Sequence, residues 1–383
     1  MTIYQTRIID SLGQILEKDW NDCCYNDVTG HNPFLSHQFL MALEESGCAT
    51  AEKGWLAQHI LIFKGHSLVG VLPLYLKSHS QGEYVFDQAW ANAYHHAGGE
   101  YYPKLQSAIP FTPVTTSKLN VRPGENIADI QTGMLEAARS LAESRALSSL
   151  HITFAEKPEW QLMAKYGFLE RLDQQFHWIN EGYGTFDDFL DALSSRKRKN
   201  IRKERRQAVV NDIEIEILCG KDITKDHWDS YFSFYLDTGQ RKWGRPYLNR
   251  KFFSLIGERL SDKIILIMAR RGDRYVAGAL NFLGDDTLYG RYWGAIEDHR
   301  YLHFEICYYQ AIDYAIRHGL KKVEAGAQGE HKLARGYLPV TTYSAHWIRN
   351  PSFRTAVADY LIHERDAVKE NQKIYARFAP FKK

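Results

Sequence analysis

The stretch "EAGAQGEHKLARGY" (324–337) offers Glu324, Gln328, Glu330, His331, Lys332 and Arg335 in one short run. Glu330 and His331 are residue types that carry protons in catalysis. Lys332 and Arg335 suit a phosphate or a carboxylate. Ala325, Gly326, Ala327 and Gly329 are interleaved with them, so backbone can approach a ligand closely. The preceding "KKVEAG" is strand-like and puts the run at a strand's carboxyl end, a common site position in α/β sheets. A plain turn with solvated charges accounts for the same residues equally well.

Three other segments carry side chains of chemical interest. The helix pattern "LHFEICYYQAIDYAIRHG" has an apolar stripe through Phe304, Cys307, Tyr308, Ala311, Ile312, Ala315 and Ile316, with Glu305 and Tyr309 one turn apart on another side. Glu305 and Tyr309 either face solvent or, near the helix start, face a cleft. The segment "DQAWANAYHHAGGEYYPK" supplies Asp87, Trp90, His95, His96, Tyr101, Tyr102 and Lys104. His95 and His96 point to different faces and have no third ligand at a recognisable spacing, so no metal is expected. "SSRKRKNIRKERR" (194–206) places eight Lys or Arg against the single acid Glu204. Ser194 and Ser195 would cap a helix whose first turn holds Arg196, Lys197 and Arg198. Cations there oppose the helix dipole unless an anion binds. A further basic and aromatic mixture, Arg241, Lys242, Trp243 and Arg245, reads as a loop that holds a nucleotide or RNA, or as a solvated loop anchored by its Trp.

The 383 residues carry a net charge of only +2, so the basic run is a local feature of a chain that is not histone-like. At 44% hydrophobic and 13% aromatic the sequence has material for ordinary cores. Its five cysteines form no C-x-x-C pair, which points to reduced thiols. No signal-peptide or membrane-length apolar run occurs, and a cytoplasmic location is expected.

Comparing the chain with itself shows a duplication. "GFLERLDQQFHWI" (167–179) and "GYLPVTTYSAHWI" (336–348) share Gly167 with Gly336, Leu169 with Leu338, and the whole His-Trp-Ile triplet, at one ungapped offset. Upstream of each lies a helical pattern running into a strand. Before that comes a hairpin pattern, "WLAQHILIFKGHSLVGVLPLYL" in one half and "KIILIMARRGDRYVAGALNFL" in the other. The expected organisation is therefore an N-terminal domain over 1–180, with an inserted loop at about 86–126, and a C-terminal domain over 181–383 that begins with the basic helix. Thr185 and Asp188 form a capping-box pattern ahead of that helix.

The second-half "LHFEICYYQAIDYAIRHGLKKVEAGAQGEHKLARGYLPVTTYSAHWI" and the first-half "GEYVFDQAWANAYHHAGGEYYPKLQSAIPFTPVT" resemble the FemAB-like N-acyltransferases, a bacterial group distantly similar to peptidoglycan interpeptide-bridge transferases. The resemblance covers essentially the whole chain. It implies an α/β fold with a mixed sheet, built as two tandem GNAT-like acyltransferase domains. It also implies a donor that is an acyl-coenzyme A or, less favoured, an aminoacyl-tRNA. The usual GNAT loop pattern R/Q-x-x-G-x-G/A is missing from the second half, where "YWGAIEDHRYLHFE" stands. "LNVRPGENIADIQTG" in the first half matches it only partly.

Acyl transfer to an amine needs a base, donors for the developing oxyanion and an acid for the leaving group. Glu330 or His331 is the expected base, with Glu305 and Tyr309 as further catalytic candidates. Gln328, Lys332, Arg335, Asp87, Tyr101, Tyr102 and Lys104 are expected to bind substrate, a small-molecule or peptide amine. Arg198, Lys199, Arg202 and Arg205 are expected to hold the donor's phosphates. The competing reading from another class is a non-catalytic RNA- or anion-binding protein that uses the basic helix alone; DNA is not an expected partner.

Overall fold

The computed structural model describes residues 3–25, 30–243, 246–326 and 329–382, without the side chains of Lys242, Trp243 and Glu330. Two compact units result. Unit 1 takes the chain up to Gln174 together with Thr341–Asn371, and unit 2 takes Gln175–Val340 with the chain from Gln372 on.

In unit 1, β1 (Tyr4–Ile9), β3 (His59–Lys64), β4 (Ser67–Leu72) and β7 (Asn120–Val121) form a small antiparallel sheet in that order. The larger sheet runs β2 (Trp55–Ala57), β5 (Tyr75–Lys77), β6 (Lys104–Ser107), β8 (Ser149–Ala155) and then residues 341–348 of β15 (Leu338–Ile348). β6 and β8 are parallel, and every other pair in this sheet is antiparallel. Helices α1 (Glu17–Cys24), α2 (His37–Glu45), α3 (Gln88–His96), α4 (Ile127–Ser144) and α5 (Lys157–Lys165) complete it, with the first part of α12 (Pro351–Arg377). The segment expected to be an inserted loop at 86–126 supplies α3, β6 and β7. Its β6 is an interior strand, recognisable only through its pairing with β5 and β8.

In unit 2, residues 177–179 of β9 (Leu169–Ile179) pair with β14 (Lys322–Glu324). β13 (Thr287–Ala295), β12 (Arg274–Leu283), β11 (Ile264–Arg271) and β10 (Ile213–Cys219) follow outward from β14. Helices α6 (Phe186–Ala192), α7 (Ser195–Ala208), α8 (Lys225–Trp243), α9 (Arg250–Arg259), α10 (Leu302–Phe304) and α11 (Gln310–Arg317) surround this sheet, and a π-turn over Glu305–Tyr309 joins α10 to α11. α6 opens with the Thr185–Asp188 capping box.

The duplication is visible in register. His346, Trp347 and Ile348 lie opposite His151, Leu150 and Ser149, while His177, Trp178 and Ile179 lie opposite Glu324, Val323 and Lys322. Each half of the sequence thus gives its last strand to the other unit. Trp178, from the first half, is buried in the core of unit 2, and Trp347, from the second half, in that of unit 1. Both hairpins turn on a glycine at positive φ, Gly65 and Gly272, as the sequence pattern requires. Gly70 and Gly278 occupy corresponding places after those turns, and a Cβ on either would fall under 3 Å from buried side chains. For Gly70 these are Met134 and Ile130 of α4, whose stripe of Ile130, Met134, Ala138 and Leu141 seals the apolar face of unit 1.

Unit 1 lacks one strand and part of a helix without residues 341–371. A fragment of residues 1–180 is therefore expected to show no cooperative thermal transition by calorimetry. A fusion of 1–174 to 341–371 through a flexible linker is expected to regain one.

Candidate active site

In unit 2 the parallel pair β13 and β14 is in register only from Thr287–Lys322 to Tyr289–Glu324, after which β13 continues to Ala295 without it. The Arg291 guanidinium fills the divergence, donating to the Glu324 carbonyl at 3.3 Å and to its carboxylate at 3.1 Å, with both side chains almost fully buried. Burial works against the Glu324 charge, but His177, Lys322 and Arg291 outweigh it and hold the carboxyl below its usual range. The loop expected to hold chemistry leaves from this point.

Lys332 does not reach outward from that loop. Its ammonium donates to the carbonyls of Ala325 at 2.6 Å and Gly326 at 3.0 Å, and burial lowers its pKa to about 7. It braces the loop against the end of β14. Arg335 donates to the His331 carbonyl and to the Glu204 carboxylate, both at 2.8 Å, and its guanidinium lies 3.4 Å from the centre of the Phe304 ring. Tyr309 donates to the same Glu204 oxygen. Glu305 accepts from Arg205 Nε at 3.1 and 3.2 Å on its two oxygens, from Arg205 Nη2 at 3.0 Å, and from Gln310 at 2.8 Å. Burial pushes the Glu305 carboxyl up, and Arg205 opposes the shift.

Glu305, Tyr309, Arg335 and Arg205, predicted from three separate segments, therefore converge with Glu204 in one polar cluster, while Lys332 is engaged with the backbone of its own loop. The π-turn explains why helical periodicity misjudged Glu305 and Tyr309. Its wider turn rotates both inward, where they are buried along with Ile306 and Tyr308. His331 stands at the cluster's exposed edge, its Nε2 2.9 Å from the Tyr308 hydroxyl. Burial raises the Tyr308 pKa, so at neutral pH that phenol stays protonated. Gln328 and the Glu330 side chain lie outside the described residues.

The basic helix α7 has two faces. On one, Arg198, Arg202 and Arg205 pair with Asp191, Asp187 and Glu305. On the other, Arg196, Lys199, Lys203 and Arg206 repeat at helical spacing, are exposed, and make no ion pair among the described residues. Ser194 precedes the helix without a side-chain capping bond. Of the four residues expected to hold donor phosphates, only Lys199 belongs to the unpaired face. A surface pocket of about 370 Å³ beside α7 is lined by Phe186, Leu190, Asp187, Arg202, Arg205 and Arg206. Arg241, expected in a loop, lies in α8 and pairs with Asp237. Arg245 and the side chains of Lys242 and Trp243 fall outside the described residues.

In unit 1 the predicted Asp87, Tyr101, Tyr102 and Lys104 also converge. Lys104 Nζ donates to Ser80 Oγ at 2.9 Å, Glu83 at 2.8 Å and Asp87 at 2.5 Å. Tyr101 donates to Asp87 at 2.7 Å and lies 3.2 Å from His151 Nε2. The His151 and His346 Nδ1 atoms are 2.6 Å apart, and Tyr102 pairs with Ser80. His95 and His96 are exposed at the end of α3. Among the described residues no group of three His, Cys, Asp or Glu side chains stands together as a metal site, and no helix is long and apolar enough to cross a membrane.

The profile of the FemAB-like family, described as peptidoglycan biosynthesis/recognition, matches residues 11–383. The chain belongs to that family. Among solved structures, FemX aligns with a TM-score of 0.55 at 12% identity, over 90% of this chain and 98% of that one. The C-terminal domain of a putative lysylphosphatidylglycerol synthetase from Agrobacterium fabrum aligns at 0.54 and 10% identity, over 90% and 95%. A tandem GNAT protein from the clavulanic acid biosynthesis pathway aligns more loosely, at 0.48 and 14%, over 91% and 99%. No curated protein matches the sequence. The fold of this FemAB-like chain is thus a mixed α/β one in two units, as the family resemblance implied.

Several residues of the clusters escaped sequence reasoning. Glu204 was visible as the one acid among eight bases, and His346 as part of a repeated triplet, but neither signal names a partner. Glu83, His151 and Arg291 carry no local pattern at all.

Because the folded-state pKa of Lys332 lies below its unfolded value, the unfolded chain binds more protons between pH 7 and the usual lysine range, and stability rises with pH there. Lys332→Met is expected to remove a slope of up to about 1.4 kcal/mol per pH unit, read by denaturant unfolding at successive pH values.

Proposed function

We propose that this FemAB-like protein is an N-acyltransferase that moves an acyl group from an acyl-coenzyme A to an amine acceptor, with the transfer chemistry in unit 2. The observation that carries the reading is the convergence of α7, the π-turn and the 329–335 segment just beyond the point where β13 and β14 part. His331 is the base. It is exposed, so an acceptor can reach it, and the Tyr308 hydroxyl fixes its ring orientation through Nε2.

The acceptor ammonium gives up a proton to solvent water, the amine attacks the acyl carbonyl, and the new C–N bond forms as the C–S bond breaks. The amine's second proton passes through His331 to the departing thiolate, leaving an amide and free coenzyme A. Glu305 and Tyr309 hold Arg205 and Glu204 in place and act as positioning residues. The donor's phosphates lie on the unpaired stripe of α7, through Lys199 with Arg196, Lys203 and Arg206. The family's description makes a peptidoglycan precursor amine the acceptor to try first.

One observation favours aminoacyl-tRNA as the donor instead. The unpaired stripe spans about 15 Å from Arg196 to Arg206, longer than one diphosphate and suited to a nucleic-acid backbone. Thiol release from a panel of acyl-coenzyme A donors, with muramyl-peptide amines as acceptors, is expected to detect turnover. His331→Gln is expected to cut kcat about a hundredfold or more with little change in donor KM. Loss of turnover for all thioesters, with salt-sensitive binding of tRNA through α7, would move the reading to aminoacyl transfer. Neither turnover nor tRNA-dependent product formation would leave only an anion-binding protein.

A further inference from the structure

The four-stranded sheet of unit 1 ends on β1, which pairs with β3 and with no other strand among the described residues. Its outer edge therefore carries N–H and C=O groups that have no backbone partner there. An edge of six residues, about 20 Å long, is ordinarily blunted by a bulge, a proline or lysines. The strand "YQTRII" has none of these, keeps unbroken register with β3, and leaves Gln5, Thr6, Arg7 and Ile8 exposed.

One face of this edge opens on a groove of about 960 Å³. Tyr4, Thr6 and Ile8, the alternate residues of β1, form one side of it, and α4 forms the other. On the α4 side Gly133 and Ala137 are small enough to leave the space open, and Asp129 and Glu136 stand two helical turns apart, about 10 Å. Asp129 accepts from the Asn126 amide at 2.8 Å, a neutral partner. Glu136 is exposed and makes no hydrogen bond or ion pair among the described residues. The next base along the helix, Arg139, is turned to Glu143 at 3.5 Å. Among the described residues no Lys, Arg or His lines the groove, so its charge is uniformly negative and unmatched.

We infer that β1 accepts an extended basic segment of a partner protein as a fifth strand, with Lys or Arg at alternate positions reaching over the groove to Asp129 and Glu136. The open backbone edge calls for a strand, and strand alternation puts every second side chain of that segment on the groove face. The two carboxylates select positive charge there. A second copy of this chain fits the edge but not the charge. It would bring its own Asp129 and Glu136 to face these, while its Arg7 stands on the opposite face of β1 from the groove. The inference rests on unit 1 alone and does not depend on the transferase reading, which is tested by donor turnover at His331.

The probe is a short end-blocked peptide of alternating lysine and valine, titrated into the full chain by calorimetry and followed by hydrogen exchange. It is expected to bind and to slow exchange of the backbone amides over residues 4–9, and its glutamate-for-lysine counterpart to bind about tenfold more weakly or worse. Two further versions are N-methylated, one at the lysines and one at the valines. In an added strand only one of these sets of N–H groups pairs with β1, so one version is expected to lose binding and the other to keep it. Glu136→Gln, a change on an exposed helix surface, is expected to weaken the lysine peptide about threefold. Unchanged exchange over residues 4–9, equal binding of the glutamate peptide, the same affinity for both N-methylated versions, or unchanged affinity in Glu136→Gln would each overturn the inference. Sedimentation showing the free chain as a dimer with residues 4–9 already protected would overturn it in favour of a second copy.

Discussion

The exchange of the two final strands is the constraint on which the rest of the structure depends. β14 is only three residues long, and such a strand holds its position only if both edges are covered. Residues 177–179 cover one edge and Thr287–Tyr289 the other. Trp178 anchors the covering strand by burying its whole indole in the unit 2 core, a contribution of several kcal/mol at ordinary core values. The loop that leaves β14 at Glu324 inherits its position from this arrangement. The same holds in unit 1, where Trp347 secures the strand that puts His346 against His151. A repeated His-Trp-Ile triplet is thus a register key, read by the half of the chain that does not contain it.

Charge is the second organising element. Unit 2 gathers Arg205, Arg291 and Arg335 close to its interior, and each meets a carboxylate: Glu305, Glu324 and Glu204. Pairs of this kind add little net stability, but removing one partner strands a buried charge, so they fix geometry. Glu204 ties α7, the π-turn and the segment before β15 together through a single carboxylate. With Lys332 bonded to the carbonyls of residues 325 and 326, the loop is held at both ends by charged side chains and His331 is left at its rim. Three of the eight bases of α7, Arg198, Arg202 and Arg205, are therefore held in ion pairs, and its outward stripe is left open to a ligand.

Much of this was legible in the sequence, for identifiable reasons. The duplication gave the tandem architecture because identical triplets must occupy equivalent strands. The hairpins were legible because alternating β-rich runs flank a Gly turn, and the α6 cap because Thr185 and Asp188 have the required spacing. The strand exchange was not legible, since nothing local in β9 or β15 says which unit will accept it. β6 was hidden for a related reason: "KLQS" sits among tyrosines and prolines, and only its partners β5 and β8 make it a strand. Glu305 and Tyr309 were read on the wrong helical face, because a π-turn that buries them breaks the 3.6-residue period assumed for it. The ion pairs of Arg198, Arg202 and Arg205 were invisible because their partners lie seven, fifteen and one hundred residues away.

Hydrogen exchange of the full chain with and without a bound acyl donor tests the central claim most directly, because it locates the donor without assuming a catalytic residue. The account predicts slowed exchange over residues 302–309 and 329–335, with a smaller effect along α7. Protection confined to unit 1, or spread over α7 alone with the 302–309 and 329–335 segments unchanged, would contradict it.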